Sequence, residues 1–295
     1  MSVKIIEVKR VMTSEECGER YAAKLLDDDC FGTLLDGSED AMAIDAETGE
    51  TVAGIRRNAI SSSVCKSAYE SLRSAAGLTD NRGVASGMGA SGETRYKRLR
   101  QDGTISNTQV SAEPVQSGIV GYFDRSARNP YCRQTSWTAK EPEKWMAALP
   151  FIQQVNQCFK ETMPDRYEAQ RLVCEQTEDE WVIPDTVFTT VTVNMNWQTA
   201  VHKDVGDLDE GFGCMATMRA GKFDGCYLCF PEYGIAVDQR TQNVTLANVH
   251  NWHGNTPITG VRGKYERLST VLYYRKKMQN CGSPDDELQR ARRFA

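Results

Sequence analysis

Only three histidines occur in the 295 residues, at positions 202, 250 and 253. His202-Lys203-Asp204 sets an imidazole and a carboxylate two residues apart, and in an extended segment residues i and i+2 point to one face. A second imidazole from His253, 51 residues further on and followed by Gly254, completes a facial set of two histidines and one carboxylate. Such a set suits iron(II) and leaves three octahedral positions open, two for the keto-acid end of 2-oxoglutarate and one for dioxygen. The far carboxylate of that cosubstrate calls for a planar cation that can pair with it in bidentate fashion. Arg267-Leu268-Ser269, which begins 14 residues after His253, offers the guanidinium and, two residues on, a hydroxyl. Asn194 and Asn196 share a strand face just before the histidine pair and are candidates to bond the cosubstrate or to close the strand end. His250 competes with His253, but Gly254 lets the backbone turn closely at a metal, so His253 is the expected ligand and His250 a neighbour.

These groups converge only if strands carry them. Val187–Val193 is a β-branched run, and Cys214–Met218, Cys226–Phe230, Ile235–Val237, Val244–Val249 and Leu268–Tyr274 follow at the pitch of short strands. The expectation is an α+β chain forming one dioxygenase-type domain over 1–295. A jelly roll (double-stranded β-helix) spans about 185–275, with N-terminal helical and loop additions over 1–184 and a helical tail over 276–295. Thr13-Ser-Glu-Glu16 has capping-box spacing ahead of Tyr21, Ala22, Leu25 and Leu26. Trp145, Ala148, Leu149, Ile152, Val155 and Phe159 recur at helical spacing between Glu141 and Glu161, with Pro150 expected to kink or divide the helix and Pro164 to end it. Residues 37–63 read as polar and turn-rich. The tail from Ser283 through Glu287 to Arg290, Arg292 and Arg293 reads as a capped helix, acidic at its start and basic at its end.

Composition narrows the setting. A net charge of −5 argues against holding long nucleic acid by charge alone. A local basic face remains in Arg95, Tyr96, Lys97, Arg98 and Arg100, which follow the glycine-rich stretch Gly83–Gly92 and read as a basic loop with one stacking ring. The first ten residues scatter charges among apolar ones, so neither a signal peptide nor a membrane helix is expected there, and the protein is expected to be intracellular. In that compartment the ten cysteines are expected to be reduced, and Cys226-x-x-Cys229 to be structural.

The stretch Asn194–Asp207, the turn Phe230-Pro-Glu-Tyr-Gly234, His253-Gly-Asn-Thr-Pro257 and Arg267-Leu-Ser269 resemble the 2-oxoglutarate dioxygenase superfamily, and within it the TET/JBP branch that oxidises pyrimidine methyl groups in nucleic acid. Asp80–Gly83, Ser117–Arg125 and Cys132–Thr135 extend the resemblance upstream toward compact members of that branch. The resemblance implies iron(II), 2-oxoglutarate and dioxygen, and DNA as partner with the target base flipped out of its stack, since a stacked methyl cannot reach a metal in a jelly-roll mouth. It implies no membrane and no obligate protein partner. Basic and aromatic groups that would hold the DNA are Arg82, Arg95, Tyr96, Lys97, Arg98, Arg125 and Arg133, with Trp197 or Trp252 as stacking surfaces. Asp207, three residues past Asp204, falls where such enzymes place a polar residue against the base. A carboxylate there accepts from the exocyclic amine of cytosine and opposes the carbonyl of thymine, which points to 5-methylcytosine. A thymine hydroxylase, a protein or small-molecule hydroxylase, and a non-catalytic cupin-like binding module are the alternatives.

Overall fold

The computed structural model describes residues 3–79, 82–87 and 114–294, together with the backbone of the strands Tyr96–Leu99 and Ile105–Val110. Two main sheets organise the described residues. The larger has ten strands and runs in the order Lys4–Val8, Ala41–Asp45, Thr51–Arg56, Val244–Ala247, Gly213–Gly225, Ile258–Tyr273, Thr190–Met195, Val115–Phe123 and Leu78–Thr79, with Arg133–Gln134 added beside Val115–Phe123. The smaller runs Gly254–Asn255, Leu228–Phe230, Ile235–Val237 and Thr33–Leu35. Together they form the expected α+β architecture with a double-stranded β-helix core.

Strand alternation decides which side chains meet solvent-accessible space and which meet helices. In Thr190–Met195, Val191, Val193 and Met195 enter the core beneath the helices Ser62–Leu72 and Pro142–Thr162, where they join Leu72, Ile152, Val155 and Phe159. Thr192 and Asn194 of the same strand face an interior cavity. Ile258–Tyr273 repeats the division, with Leu268 and Leu272 under the helices and Arg267, Ser269, Val271 and Tyr273 on the cavity. Each buried Leu, Val or Phe contributes roughly 1.5–3 kcal/mol, so a one-residue slip of either strand is strongly resisted. A second core fills the space between the sheets, where Val52, Ala53, Met215 and Val249 meet Leu228, Phe230, Ile235 and Val237.

Several expectations change. Pro142–Thr162 continues through Pro150 as one helix, because the amide that Pro150 lacks would serve the carbonyl of Met146, on an exposed turn that water can reach. The helix does end just before Pro164, as expected, and Pro164 opens the next one, Pro164–Cys174. The segment 37–63 is no turn-rich stretch: it supplies Ala41–Asp45, Thr51–Arg56 and the start of Ser62–Leu72. Its strands, Ala41–Asp45 and Thr51–Arg56, mix small residues with Ile44, Val52 and Ile55, and a Cβ at Gly54 would stand 2.1 Å from the Met42 sulfur, so close packing breaks the β-branched run at that position. Tyr96–Leu99 pairs with Ile105–Val110 as a hairpin instead of a loop. Arg95, and the side chains of Tyr96, Lys97 and Arg98, lie outside the described residues. Cys132 and Cys281 form a disulfide, against the expectation of reduced thiols, while Cys226 and Cys229 are free and do not pair with each other. No helix among the described residues is long and apolar enough to cross a membrane.

The disulfide belongs to the anchor of the C-terminal helix Pro284–Arg292, whose N-terminus is capped by Ser283 as expected. Glu287 is 1% exposed and accepts the amides of Cys132 at 2.7 Å and Gly282 at 2.9 Å, besides the Arg125 guanidinium. Burial raises the Glu287 pKa, but Arg125 and the two amides outweigh it and hold the carboxyl below its usual 4.5. A depressed folded pKa means stabilisation that is present above the usual carboxyl range and is lost as pH falls through the folded value. Glu287→Gln is therefore expected to cost about 3 kcal/mol at neutral pH, because Arg125 is left without its acid. Denaturant titrations should show the gap between variant and wild type closing as pH falls below 4.5.

Candidate active site

The strand Gly254–Asn255 and the segment around His202 meet in a short antiparallel bridge. The His202 amide donates to the His253 carbonyl at 2.9 Å and the His253 amide returns the bond at 3.0 Å. This pairing sets the two imidazoles side by side, with ring centroids 4.4 Å apart. The Asp204 amide bonds the Val249 carbonyl at 3.0 Å, which carries its side chain to the same point. Asp204 carboxylate oxygens stand 3.4 Å from His202 Nε2 and 3.6 Å from His253 Nε2. A Cβ at Gly254 would stand 3.1 Å from the Val201 backbone nitrogen, tighter than ordinary contact, so glycine eases the close approach.

This donor set fits a metal. The three ligand atoms lie within 4.8 Å of one another. Each imidazole turns Nδ1 toward a backbone carbonyl, His202 to Ala200 at 2.7 Å and His253 to Asn251 at 3.0 Å. Those bonds favour the Nδ1–H tautomer and leave both Nε2 lone pairs aimed at the shared point. Burial opposes ionisation of Asp204, yet the two imidazoles overcome it and hold the carboxyl below its usual range. Burial likewise disfavours the His202 imidazolium, but Asp204 prevails and the His202 pKa rises above 6.5.

The triad opens onto a cavity of about 360 Å³. Arg267 is 3% exposed in its wall and donates to Gln239 Oε1 at 2.6 Å. No carboxylate pairs with it among the described residues, so a buried positive charge stands ready for an anion. Gln239 is itself buried and donates to the Met215 sulfur at 3.5 Å, which fixes the carbonyl end toward Arg267. Asn194 lies in register between Ser117 and Ser269, and Ser117 donates to its side chain. At another wall Asp207 is 8% exposed, with an Oδ2 that has no hydrogen-bond partner. Burial first, and the nearby Asp204 charge second, push the Asp207 pKa well above the usual carboxyl value, against the pull of Arg275. Arg82 also lines this wall with a buried, unpartnered Nε. Arg275 bonds Asp124 and lies over the Phe123 ring at 4.0 Å.

His202, Asp204, His253, Arg267, Ser269, Asn194, Asp207, Arg82 and Trp197 thus surround one cavity. Others do not. Asn196 leaves the strand at φ 50° and clamps the Arg267 backbone instead, accepting its amide at 2.7 Å and donating to its carbonyl at 3.0 Å. Trp252 is no stacking surface of the cavity: its indole donates to the Ser14 carbonyl at 2.8 Å and packs on Gly18 of the helix Ser14–Tyr21. Arg125 is committed to Glu287, and Arg133 lies over Phe123 and Tyr131. His250 Nε2 sits 3.2 Å from the Leu208 carbonyl, off the cavity. Gln239, Tyr273 and Arg275 went unread in the sequence. Tyr273 was accessible by extending the alternation from Arg267 through Ser269 and Val271, whereas nothing in the local pattern marks Gln239.

Asp204→Ala and His253→Ala are expected to abolish binding of one divalent metal per chain in calorimetry, while His250→Ala retains it. A raised His202 pKa means that a proton competes with the metal to higher pH than for an ordinary imidazole. Metal affinity should therefore climb as pH rises through the window just above 6.5, with proton release on binding. A flat profile there would contradict the electrostatic picture.

A family model described as the oxygenase domain of the 2OGFeDO superfamily, Tet_JBP, matches residues 118–276, which include the triad and Arg267. Thymine dioxygenase JBP1 of Leishmania tarentolae is 33% identical over 65% of this chain and 23% of its own length. The Leishmania infantum protein of that name is 28% identical over 97% of this chain and 32% of its own. In these alignments the chain spans a third or less of each relative. The solved structure of NgTET1 in complex with 5mC DNA superimposes with a TM-score of 0.57 at 11% identity, covering 99% of this chain and 91% of that one, and so shares the fold. The chain belongs to the TET/JBP oxygenase family of the 2-oxoglutarate- and iron(II)-dependent dioxygenases, with iron(II) as metal and 2-oxoglutarate and dioxygen as cosubstrates.

Proposed function

We propose that this protein hydroxylates the methyl group of thymine in DNA. The observation that carries the choice of base is the wall formed by Arg82, Asp207 and Arg275. Thymine presents two carbonyl oxygens and an N3–H. Two guanidinium groups supply donors for carbonyl oxygens, and Arg82 Nε has no other partner. Burial first, and the Asp204 charge second, push Asp207 toward its neutral form, which weakens the opposition a carboxylate would present to a thymine carbonyl. A bound metal offsets the Asp204 charge but not the burial. The name thymine dioxygenase borne by the sequence relatives supports the same reading.

His202, Asp204 and His253 would hold the metal. Bound there, iron(II) supplies with dioxygen and 2-oxoglutarate the oxidising equivalents that replace a methyl C–H by C–OH as the cosubstrate loses carbon dioxide. Arg267 pairs with the far carboxylate of 2-oxoglutarate, and Gln239 keeps its fork oriented. Ser269 and Asn194 add polar contacts along the cosubstrate side of the cavity. Because the triad lies in the wall of a cavity, the target base has to leave the duplex stack to reach it, at a cost of a few kcal/mol.

The second reading is 5-methylcytosine, favoured if Asp207 ionises and accepts from the cytosine amine. Product analysis separates the two. Iron-loaded protein incubated with unmodified and 5-methylcytosine-containing duplexes is expected to give 5-hydroxymethyluracil as main product by mass spectrometry. Predominant 5-hydroxymethylcytosine would hand the site to the second reading, and no base product from either duplex would reject both. Asp207→Ala should lower catalytic efficiency roughly ten- to a hundredfold, the worth of one well-placed base contact of about 1–3 kcal/mol. Arg267→Lys should raise the KM for 2-oxoglutarate by roughly tenfold, since an ammonium cannot form the bidentate pair. An unchanged KM would move the anchor away from Arg267.

A further inference from the structure

A polar junction lies behind the metal triad, and the proposed reaction does not account for it. The His202–His253 bridge is antiparallel, so the next pair outward sets Lys203 opposite Trp252, with the Lys203 ammonium 5.1 Å from the ring centroid. Both side chains reach the start of the helix Ser14–Tyr21. Lys203 Nζ donates to the Ser14 hydroxyl at 2.7 Å, and the Trp252 indole donates to the Ser14 carbonyl at 2.8 Å. The Ser14 hydroxyl in turn donates to Glu232 Oε1 at 3.3 Å, and the same oxygen accepts the Trp252 amide at 3.1 Å. One serine thereby joins the residue between His202 and Asp204 to the residue that precedes His253.

The surrounding chain fixes this serine in place. Thr13 caps the helix and puts Ser14 at its first position, and the Val11 amide bonds the Glu232 carbonyl at 2.8 Å. Gly18, one turn on, leaves room for the indole, since a Cβ there would stand 2.9 Å from a ring carbon. Glu232 is 1% exposed, its Oε2 has no hydrogen-bond partner, and Arg10 approaches that oxygen only to 4.0 Å. Apolar packing of similar volume would secure a helix at least as well as a buried, half-matched carboxylate, so stability alone is a poor account of the junction. Direction is what the polar groups add. Glu232 fixes the Trp252 backbone and, through the serine, the Lys203 side chain, so the two ligand-bearing segments resist moving apart. Ser14 lies outside residues 118–276, the part of the chain that matches the family model.

We propose that Ser14 is a positioning residue for the metal triad, its hydroxyl tying together the two chain segments that carry His202, Asp204 and His253. The proposal rests on the triad alone and is independent of which substrate is oxidised. The competing account is that the serine only secures the helix to the core.

The test measures manganese(II) affinity of the metal-free protein by calorimetry, alongside its Tm and the visible absorption of the cobalt(II)-loaded form, which reports ligand geometry. Ser14 is uncharged, does not line the cavity and makes none of the helix's capping bonds, so Ser14→Ala removes the link while net charge and helix cap stay as they are. This variant is expected to bind manganese(II) roughly tenfold more weakly, the lower end of what losing a group that supports a ligand costs. Its cobalt spectrum should shift and its Tm should stay near that of wild type. Ser14→Thr, which restores a hydroxyl, should return affinity and spectrum toward wild type. Glu287→Gln, which weakens the anchor of the C-terminal helix, should lower Tm and leave metal affinity unchanged. Wild-type affinity and spectrum in Ser14→Ala would overturn the proposal, whatever its Tm. A loss of affinity shared equally by Glu287→Gln would overturn it too, since affinity would then only follow stability.

Discussion

The arrangement of the site depends on the two-residue bridge between His202 and His253. These residues are 51 positions apart, and their reciprocal backbone bonds at 2.9 and 3.0 Å are what make them neighbours. Because the constraint lies in the backbone, the imidazoles are held in place before any metal binds, and the Nδ1 contacts to Ala200 and Asn251 set their tautomers. Asp204 is brought in by its own bond to the Val249 carbonyl. The resulting group is electrostatically balanced only in part, with a buried carboxylate facing two imidazoles that must be neutral to act as ligands.

One strand, Ile258–Tyr273, then distributes the remaining functions by simple alternation. Arg267, Ser269, Val271 and Tyr273 follow one another along the cavity, while Leu268 and Leu272 bury the opposite face against the helices. The apolar face fixes the register and the polar face inherits it. Moving the strand by one residue would place Arg267 under the helices, where an unpaired charge costs several kcal/mol. Packing energy far larger than any single polar contact thereby holds Arg267 at the cavity wall.

What the sequence disclosed follows from locality. His202 and Asp204 were legible because strand geometry puts i and i+2 on one face, and Arg267 and Ser269 for the same reason. The caps at Thr13 and Ser283 are likewise contained within four residues. Features that depend on distant packing were not legible. Asn196 was placed with Asn194 by alternation, but the chain turns to positive φ there and its side chain serves the Arg267 backbone. Trp252 adjoins His253 in sequence, yet the helix Ser14–Tyr21 takes its indole. The strands between 41 and 56 were hidden because alanine and glycine interrupt their β-branched residues, with Gly54 packed closely against Met42. Asp207 was found by position, whereas its charge state depends on burial that only the folded chain supplies.

The central claim is that the triad and Arg267 form one preorganised site for metal and cosubstrate. The most direct measurement is a crystal structure of the protein grown without oxygen in the presence of manganese(II) and 2-oxoglutarate. The account predicts metal on His202 Nε2, Asp204 and His253 Nε2, with the far carboxylate of 2-oxoglutarate paired to Arg267 beside Gln239. A cosubstrate whose far carboxylate instead lay on Arg82 or Arg275, or a metal held by His250, would contradict it.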